Sequence, residues 1–197
     1  EIKLQNAVTT DRQRRILDTA LDLFTRSGYF NTSVHDIQRA ADVSIGSIYH
    51  HFGNKEGIAR ALYDDLVGQM TEAVARIREQ NKGLYQRGQA FVAYLFEMAE
   101  TRPAAMHYIL YARHREFMPG EKPICSSKPF ELVQHMVGEA MGAGEIRSQD
   151  PVIASAMMFG GAIRLIHLRL DGVLEKPLSD CEADAWQCAW RSVAVPA

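Results

Sequence analysis

The side chains of this 197-residue chain that could do chemistry are spaced against catalysis. His50 and His51 are neighbours, and neighbouring helix positions point about 100° apart, so their rings diverge and cannot share a metal ion. His107 and His114 lie seven apart and can share a helix face. No carboxylate or cysteine nearby completes a ligand set, and they read as surface or pocket-lining residues. Cys125, Cys181 and Cys188 are odd in number and form no CxxC pair, which implies neither a disulfide framework nor a zinc site and suits a reducing compartment. No nucleophile–base pair stands on a usable spacing. The expectation is no enzyme activity, no metal and no cofactor. The informative stretch is instead the run from Thr32 to Lys55, whose small, polar and aromatic residues suit contact with a charged polymer.

That run reads as two short helices joined by a tight turn. Ser33 can cap the first, its hydroxyl accepting from a free backbone N–H at the helix start. Val34, Ile37 and Ala41 recur three and four apart as an apolar stripe. Asp42 interrupts the stripe, and Ser44 can cap the second helix. Gly46 inside that helix costs about 1 kcal/mol relative to alanine, which suggests close approach of something large. Val43, Ile48 and Phe52 can turn inward. Ile45, Ser47, Tyr49 and His50 are left outward on a face with no acidic residue, which can enter a DNA major groove without repelling phosphate.

The run and its surroundings resemble the TetR family of bacterial transcriptional regulators. The matching parts are Arg15-Ile16-Leu17-Asp18-x-Ala20-x-x-Leu23-Phe24, Gly28-Tyr29-x-x-Thr32-Ser33-Val34-x-Asp36-Ile37, Ala40-Ala41-x-Val43-Ser44-x-Gly46-Ser47-Ile48-Tyr49-x-His51-Phe52 and Lys55-Glu56-Gly57. Beyond them the chain is similar to the family in size and helicity, not in motif. The resemblance implies contacts to double-stranded operator DNA through Thr32, Ser33, Ser44, Ile45, Gly46, Ser47, Tyr49, His50 and Lys55. Tyr49 would touch the phosphate backbone, or else pack half-buried. Lys55 sits at a helix N-terminus, where a cation is unfavourable unless phosphate is near; the bland alternative is a solvated lysine. Ile45 departs from the polar or basic residue frequent there. It can pack on a thymine methyl or leave DNA to be read by shape. His35 reads as solvated, with a phosphate contact as the alternative, and His51 as turned towards the interior.

The formal net charge is −2, and charge is divided only mildly: residues 1–60 carry 8 Lys+Arg against 7 Asp+Glu, residues 61–197 carry 14 against 17. This excludes a protein coated in basic residues. Residues 1–9 read as a loose arm. A first helix opens at Thr10 or Asp11 and is stopped by Gly28. Asn54 caps a long helix from Lys55 to about Gln80, with Ile58, Leu62, Leu66, Met70, Val74 and Ile77 at steps of three and four. Further helices are expected over Gln86–Glu100, Pro103 to about Arg115, Pro129 to about Met141, Asp150 to about Leu170, and from Ser179 or Asp180 to Val193. The Pro- and Gly-rich stretch from Phe117 to Pro129 reads as a loop. No strand pattern or linker is visible. The fold expected is all-α, with about nine helices. Residues 1–54 form a three-helix bundle with a helix-turn-helix. Residues 55–197 form an effector-binding and dimerisation domain, joined to it by the Lys55–Gln80 helix.

In that second domain Phe91, Tyr94, Leu95, Met98, Tyr108, Tyr111 and Met158 can line a small-molecule pocket, though singly each reads equally as core. The case for a pocket is the family's habit of binding an effector there. Arg164 is a candidate for an anionic ligand or for solvent, as is Arg169 for solvent. Gly160 and Gly161 permit close helix approach, and Trp186 and Trp190 fall four apart on one face. The family resemblance makes this a homodimer interface; burial within one subunit is the alternative. The apolar run from Val152 to Ile163 is shorter than the about 20 residues a bilayer needs, and no signal peptide is visible. The expectation is a cytoplasmic, ligand-responsive repressor that contacts no membrane. An all-α enzyme with a DNA-binding appendage, or an architectural protein without effector, are the alternatives.

Overall fold

The computed structural model describes residues 11–112, 114–118, 120 and 126–195. Over these residues it forms ten α-helices: α1 (Asp11–Ser27), α2 (Val34–Ala41), α3 (Ile45–Phe52), α4 (Lys55–Gln80), α5 (Gly83–Thr101), α6 (Pro103–Tyr111), α7 (His114–Phe117), α8 (Lys128–Gly142), α9 (Pro151–Leu170) and α10 (Glu182–Val193). α7 is a single turn that takes up the end of the helix expected from Pro103 to about Arg115, which stops at Tyr111; the other nine helices correspond to the nine expected. No strand occurs among the described residues; the one β contact there is the isolated bridge Ile146–Ala194. The expected arm at residues 1–9, and residues 119 and 121–125 of the expected loop, lie outside the described residues.

The chain divides into two compact units, Glu1–Asp65 with Tyr111–Glu121, and Leu66–Leu110 with Lys122–Ala197. The division falls within α4, not at its start. The reason is packing: Ile58, Ala59, Leu62 and Tyr63 are buried, and Asp65 holds Arg14 of α1 by two bonds of 2.8 and 3.2 Å. Tyr111, expected beside Tyr108, belongs to the first unit, and Tyr108 to the second. His107 and His114 are likewise divided. His114 is buried with its ring 4.9 Å from that of Tyr63, and it lies on α7, not on α6 with His107.

In the second unit α9 packs on α5, α8 and α10. Asp150 caps it, accepting from the N–H groups of Val152 and Ile153. The helix runs on through Arg164, where the sequence suggested the apolar run stops, to Leu170. At 20 residues it is long and apolar enough to cross a membrane by length and composition, which corrects the shorter span expected. It packs on three helices through Ala154, Met158, Phe159, Ala162 and Ile166, carries Arg164 and Arg169, and leaves most of its apolar window unburied. Arg169 is part-buried and paired: its guanidinium holds Glu100 at 2.9 and 3.2 Å, and Glu100 also accepts from the Leu178 N–H. The Arg169 bond, then the Leu178 bond, hold the Glu100 carboxyl below its usual range.

Trp186 is 1% exposed, so it is a core residue of its own subunit and not the interface anchor expected. Its ring fills a slot that exists because residue 88 is glycine: a Cβ there would lie 2.1 Å from the indole. Tyr85 meets both Trp186 and Trp190 edge-on, and Trp190 is half-buried. Gly160 and Gly161 are exposed beside Val152, Ile153 and Met157.

The candidate effector residues are mostly closed core. Phe91, Leu95, Met98, Tyr108 and Met158 are buried and Tyr94 is half-buried, its phenol pushed up in pKa by burial. Two cavities of this unit lie elsewhere. One of about 610 Å³ lies between α9 and α10 and includes Arg164; another of about 270 Å³ lies between α8 and α9. Of the expected set, Arg164 alone lines either. Period-four spacing marks a helix's buried face but does not distinguish a packed face from a hollow one.

Candidate nucleic-acid interface

Each turn of the Thr32–Lys55 run is fixed by a short polar side chain. Ser33 and Asp36 form a reciprocal cap at the start of α2. The Asp36 N–H donates to Ser33 Oγ at 3.1 Å, and the Ser33 N–H donates to Asp36 Oδ2 at 2.9 Å. Such a pair satisfies two orphan donors at once. Arg39 adds a 2.5 Å bond to the same carboxylate. The Ser33 bonds first, then Arg39, lower the Asp36 pKa to about 2. Asp42 does more than interrupt the apolar stripe. At φ 50 and ψ 56 it turns left-handed, and its N–H closes on the carbonyls of Arg39 and Gln38. A short polar side chain tolerates that conformation better than most, so Asp42 is the turn residue between the two helices. Gln38 Nε2 reaches across the turn to the Val43 carbonyl at 2.9 Å.

Ser44 caps α3, its Oγ accepting from the Ser47 N–H at 3.2 Å. Ile48 is fully buried, with Ile37 and Ala41 of α2. Tyr49, 51% exposed, and His50 point to solvent beside Gly46; Ile45 is half-buried. A Cβ on Gly46 would meet nothing within 4 Å, so nothing in the protein itself requires glycine there. The rings of His50 and His51 do not diverge as expected: they meet edge-on at 5.1 Å, because the side chains are long enough to lean together. α3 ends at Gly53, φ 75. Asn54 Oδ1 then caps α4 through the Gly57 N–H at 2.8 Å. A Cβ on Gly57 would lie 1.8 Å from the Phe52 carbonyl, so residue 57 must be glycine for α3 and α4 to meet.

Three expected contact residues are wholly or partly covered: Thr32 is buried, and Ser47 and Lys55 are half-buried. Thr32 is 3% exposed, and its hydroxyl donates to the Gly28 carbonyl at 2.9 Å. Ser47 Oγ is covered by protein and has no hydrogen-bond partner among the described residues. Lys55 donates from Nζ to the carbonyls of Tyr29 and Thr32, both at 2.9 Å, and lies 4.3 Å from the Tyr29 ring centroid. Burial lowers its pKa. The ammonium therefore ties the α1–α2 loop to the start of α4, answering its unfavourable helix position with carbonyl oxygens.

Tyr29 is the residue that sequence reasoning missed. Its ring stacks on Phe117 of α7 at 4.0 Å and 16°, and packs against Phe24 at 5.2 Å. Burial first, then Glu56, raise its pKa. The sequence signal was present in Gly28-Tyr29 and Lys55 but lay 26 positions apart.

Comparison with known proteins agrees with this geometry. The family described as "Bacterial regulatory proteins, tetR family" matches residues 16–62, from α1 into α4. The transcriptional repressor KstR2 of Rhodococcus jostii is 44% identical over 68 residues, 32% of this chain and 33% of that protein. The match thus spans about a third of the relative's length. A TetR family transcription regulator from Marinobacter aquaeolei superposes with a TM-score of 0.77 at 21% identity, covering 94% of this chain and 96% of that one. FadR of Bacillus subtilis, solved in complex with stearoyl-CoA, superposes with a TM-score of 0.73 at 18% identity, covering 89% and 96%. The shared motif lies in the first unit, where residues 16–62 match the TetR family of bacterial regulatory proteins, and the shared fold extends over nearly the whole chain.

Proposed function

We propose that this chain is a cytoplasmic transcriptional regulator. As a homodimer it would bind a palindromic duplex operator and repress, releasing the DNA when a small molecule occupies the second unit. The observation that carries this is the helix-turn-helix itself: α2 and α3 each capped by serine, a left-handed Asp42 between them, and an exposed α3 face of Gly46, Tyr49 and His50 without an acidic side chain. Ser33, Ser44, Ile45, Tyr49 and His50 would make the contacts. Thr32, Ser47 and Lys55 would position them from within. The exposed apolar stripe of α9, with Val152, Ile153, Met157, Gly160 and Gly161, supplies the dimer surface, and a two-fold dimer suits paired half-sites.

α4 contributes residues to both units, so a ligand held by the second unit can act on the α4 segment that continues into the first. A neighbour of the same fold solved in complex with stearoyl-CoA makes acyl-CoA the first effector probe. A coupling of about 1–3 kcal/mol gives about 5–150-fold induction, and by reciprocity the operator weakens the ligand equally.

Selection from a random duplex pool, followed by gel-shift titration, tests the DNA reading. A palindrome should be enriched, and Tyr49→Ala should weaken every site. No enrichment would refute it. Calorimetry of an effector with and without operator tests the switch, and equal affinity in both cases removes it. The tight packing of Phe91, Leu95, Met98, Tyr108 and Met158 favours, as a second reading, a DNA-binding protein without effector. That reading predicts operator affinity indifferent to acyl-CoA and to metabolite extracts.

A further inference from the structure

The arginines of residues 11–65 fall into two groups. Arg14, Arg26, Arg39 and Arg60 each hold a carboxylate: Asp65, Asp22, Asp36 and Glu56. Arg12 and Arg15 form no ion pair among the described residues, and both are exposed. They stand three apart on α1, so they share a face. With Asp11 and His51 they line one cleft of about 420 Å³. His51 is the penultimate residue of α3 and touches the exposed His50 edge-on, so the cleft adjoins the recognition helix.

We propose that Arg12, Arg15 and His51 form a seat for a phosphodiester of duplex DNA, extending the contact of α3 onto α1. This rests on the DNA-binding reading above. Arginine suits the role because its planar fork of donors matches two phosphate oxygens at once. In solvent the two guanidiniums repel each other; a phosphate between them supplies a partner to both. Asp11 is the single acid on the cleft wall, and two cations with the donor-bearing imidazole outweigh it. Such a contact carries no sequence information. It fixes register and orientation on the duplex and adds to affinity on every sequence.

The test is a salt titration of duplex binding, followed by fluorescence anisotropy on a selected operator and on a scrambled duplex. Each lost phosphate contact lowers the slope of log K against log salt by about 0.9. Arg12→Gln/Arg15→Gln should therefore lower it by about 1.8 per bound protomer, on both duplexes alike. Arg12→Lys/Arg15→Lys keeps both charges and should keep the slope. Arg26→Gln, at the other end of α1, should also keep it. A wild-type slope in the double glutamine variant overturns the proposal, as does an equal loss in Arg26→Gln, which would report net charge alone. If the double variant loses its far-UV helical signal, Arg12→Gln by itself decides the matter, with a loss of about 0.9 supporting the seat and no loss overturning it. Wild-type protein with no salt-dependent duplex binding would refute the regulator reading itself, a result distinct from an unchanged variant slope.

Discussion

Lys55 separates two accounts of the same residue by two independent measurements. Lys55→Met keeps the length of the stem and removes the ammonium. The structure then loses two charged hydrogen bonds of 2.9 Å, to the Tyr29 and Thr32 carbonyls, and the cation 4.3 Å from the Tyr29 ring. A hydrogen bond to a charged group contributes about 1.5–3 kcal/mol when well buried, and partial exposure reduces each here to about 1 kcal/mol. The cation–π contact adds about 0.5 kcal/mol. The methionine regains a little by avoiding burial of charge, so the net loss is about 2 kcal/mol. For a chain of this size that lowers Tm by about 4–8 °C. DNA binding should weaken through misplacement of Ser33 and α2, with the salt slope unchanged. Denaturation followed by circular dichroism, beside a salt titration of operator binding, reads both quantities. Wild-type stability together with a slope reduced by about 0.9 would place the ammonium on phosphate and refute the internal tie.

Glycines give opposite signs according to their surroundings. Gly88→Ala drives a methyl into the Trp186 ring and should destabilise by about 1–3 kcal/mol, whereas Gly68→Ala, with nothing within 4 Å, should stabilise by up to about 1 kcal/mol in a urea titration. Asp36 has a folded pKa of about 2, below its unfolded value. Its cap therefore contributes fully above about pH 5 and is lost as pH falls through 4 towards 2; Asp36→Asn should show a shallower acid loss of Tm over that window. Ile153→Glu with Met157→Glu places two charges on the exposed α9 stripe and should yield helical monomers by light scattering. A wild-type monomer at micromolar concentration would remove the interface.

Local chemistry was readable in sequence where a residue acts on its own turn. Ser33, Ser44 and Asn54 cap as their types require, Gly28 ends α1 at φ 84, and the apolar steps of Lys55–Gln80 give α4 to the residue. What the sequence could not give was which polar side chains turn inward. Thr32, Ser47 and Lys55 look like surface groups because their types are polar, yet Thr32 bonds the Gly28 carbonyl of its own loop and Lys55 meets the carbonyls of Tyr29 and Thr32 far back along the chain. Trp186 failed the other way. Two tryptophans four apart suggest an exposed face, but Gly88 supplies a hole for one of them. The cleft shared by Arg12, Arg15 and His51 was invisible for the same reason, since it forms only when the end of α3 is brought beside the start of α1.

The first unit is assembled from two separated stretches of chain, with the stretch 66–110 of the second unit synthesised between them. Tyr29 cannot find Phe117 until the ribosome has passed that stretch and released α7. At about 5–20 residues per second, the DNA-binding half must wait on the order of 3–10 s with its aromatic ring uncovered. An N-terminal fragment expressed to the end of α3, or even to Asp65, therefore never receives its last side chain. For this chain, a truncated DNA-binding domain is an unfinished one.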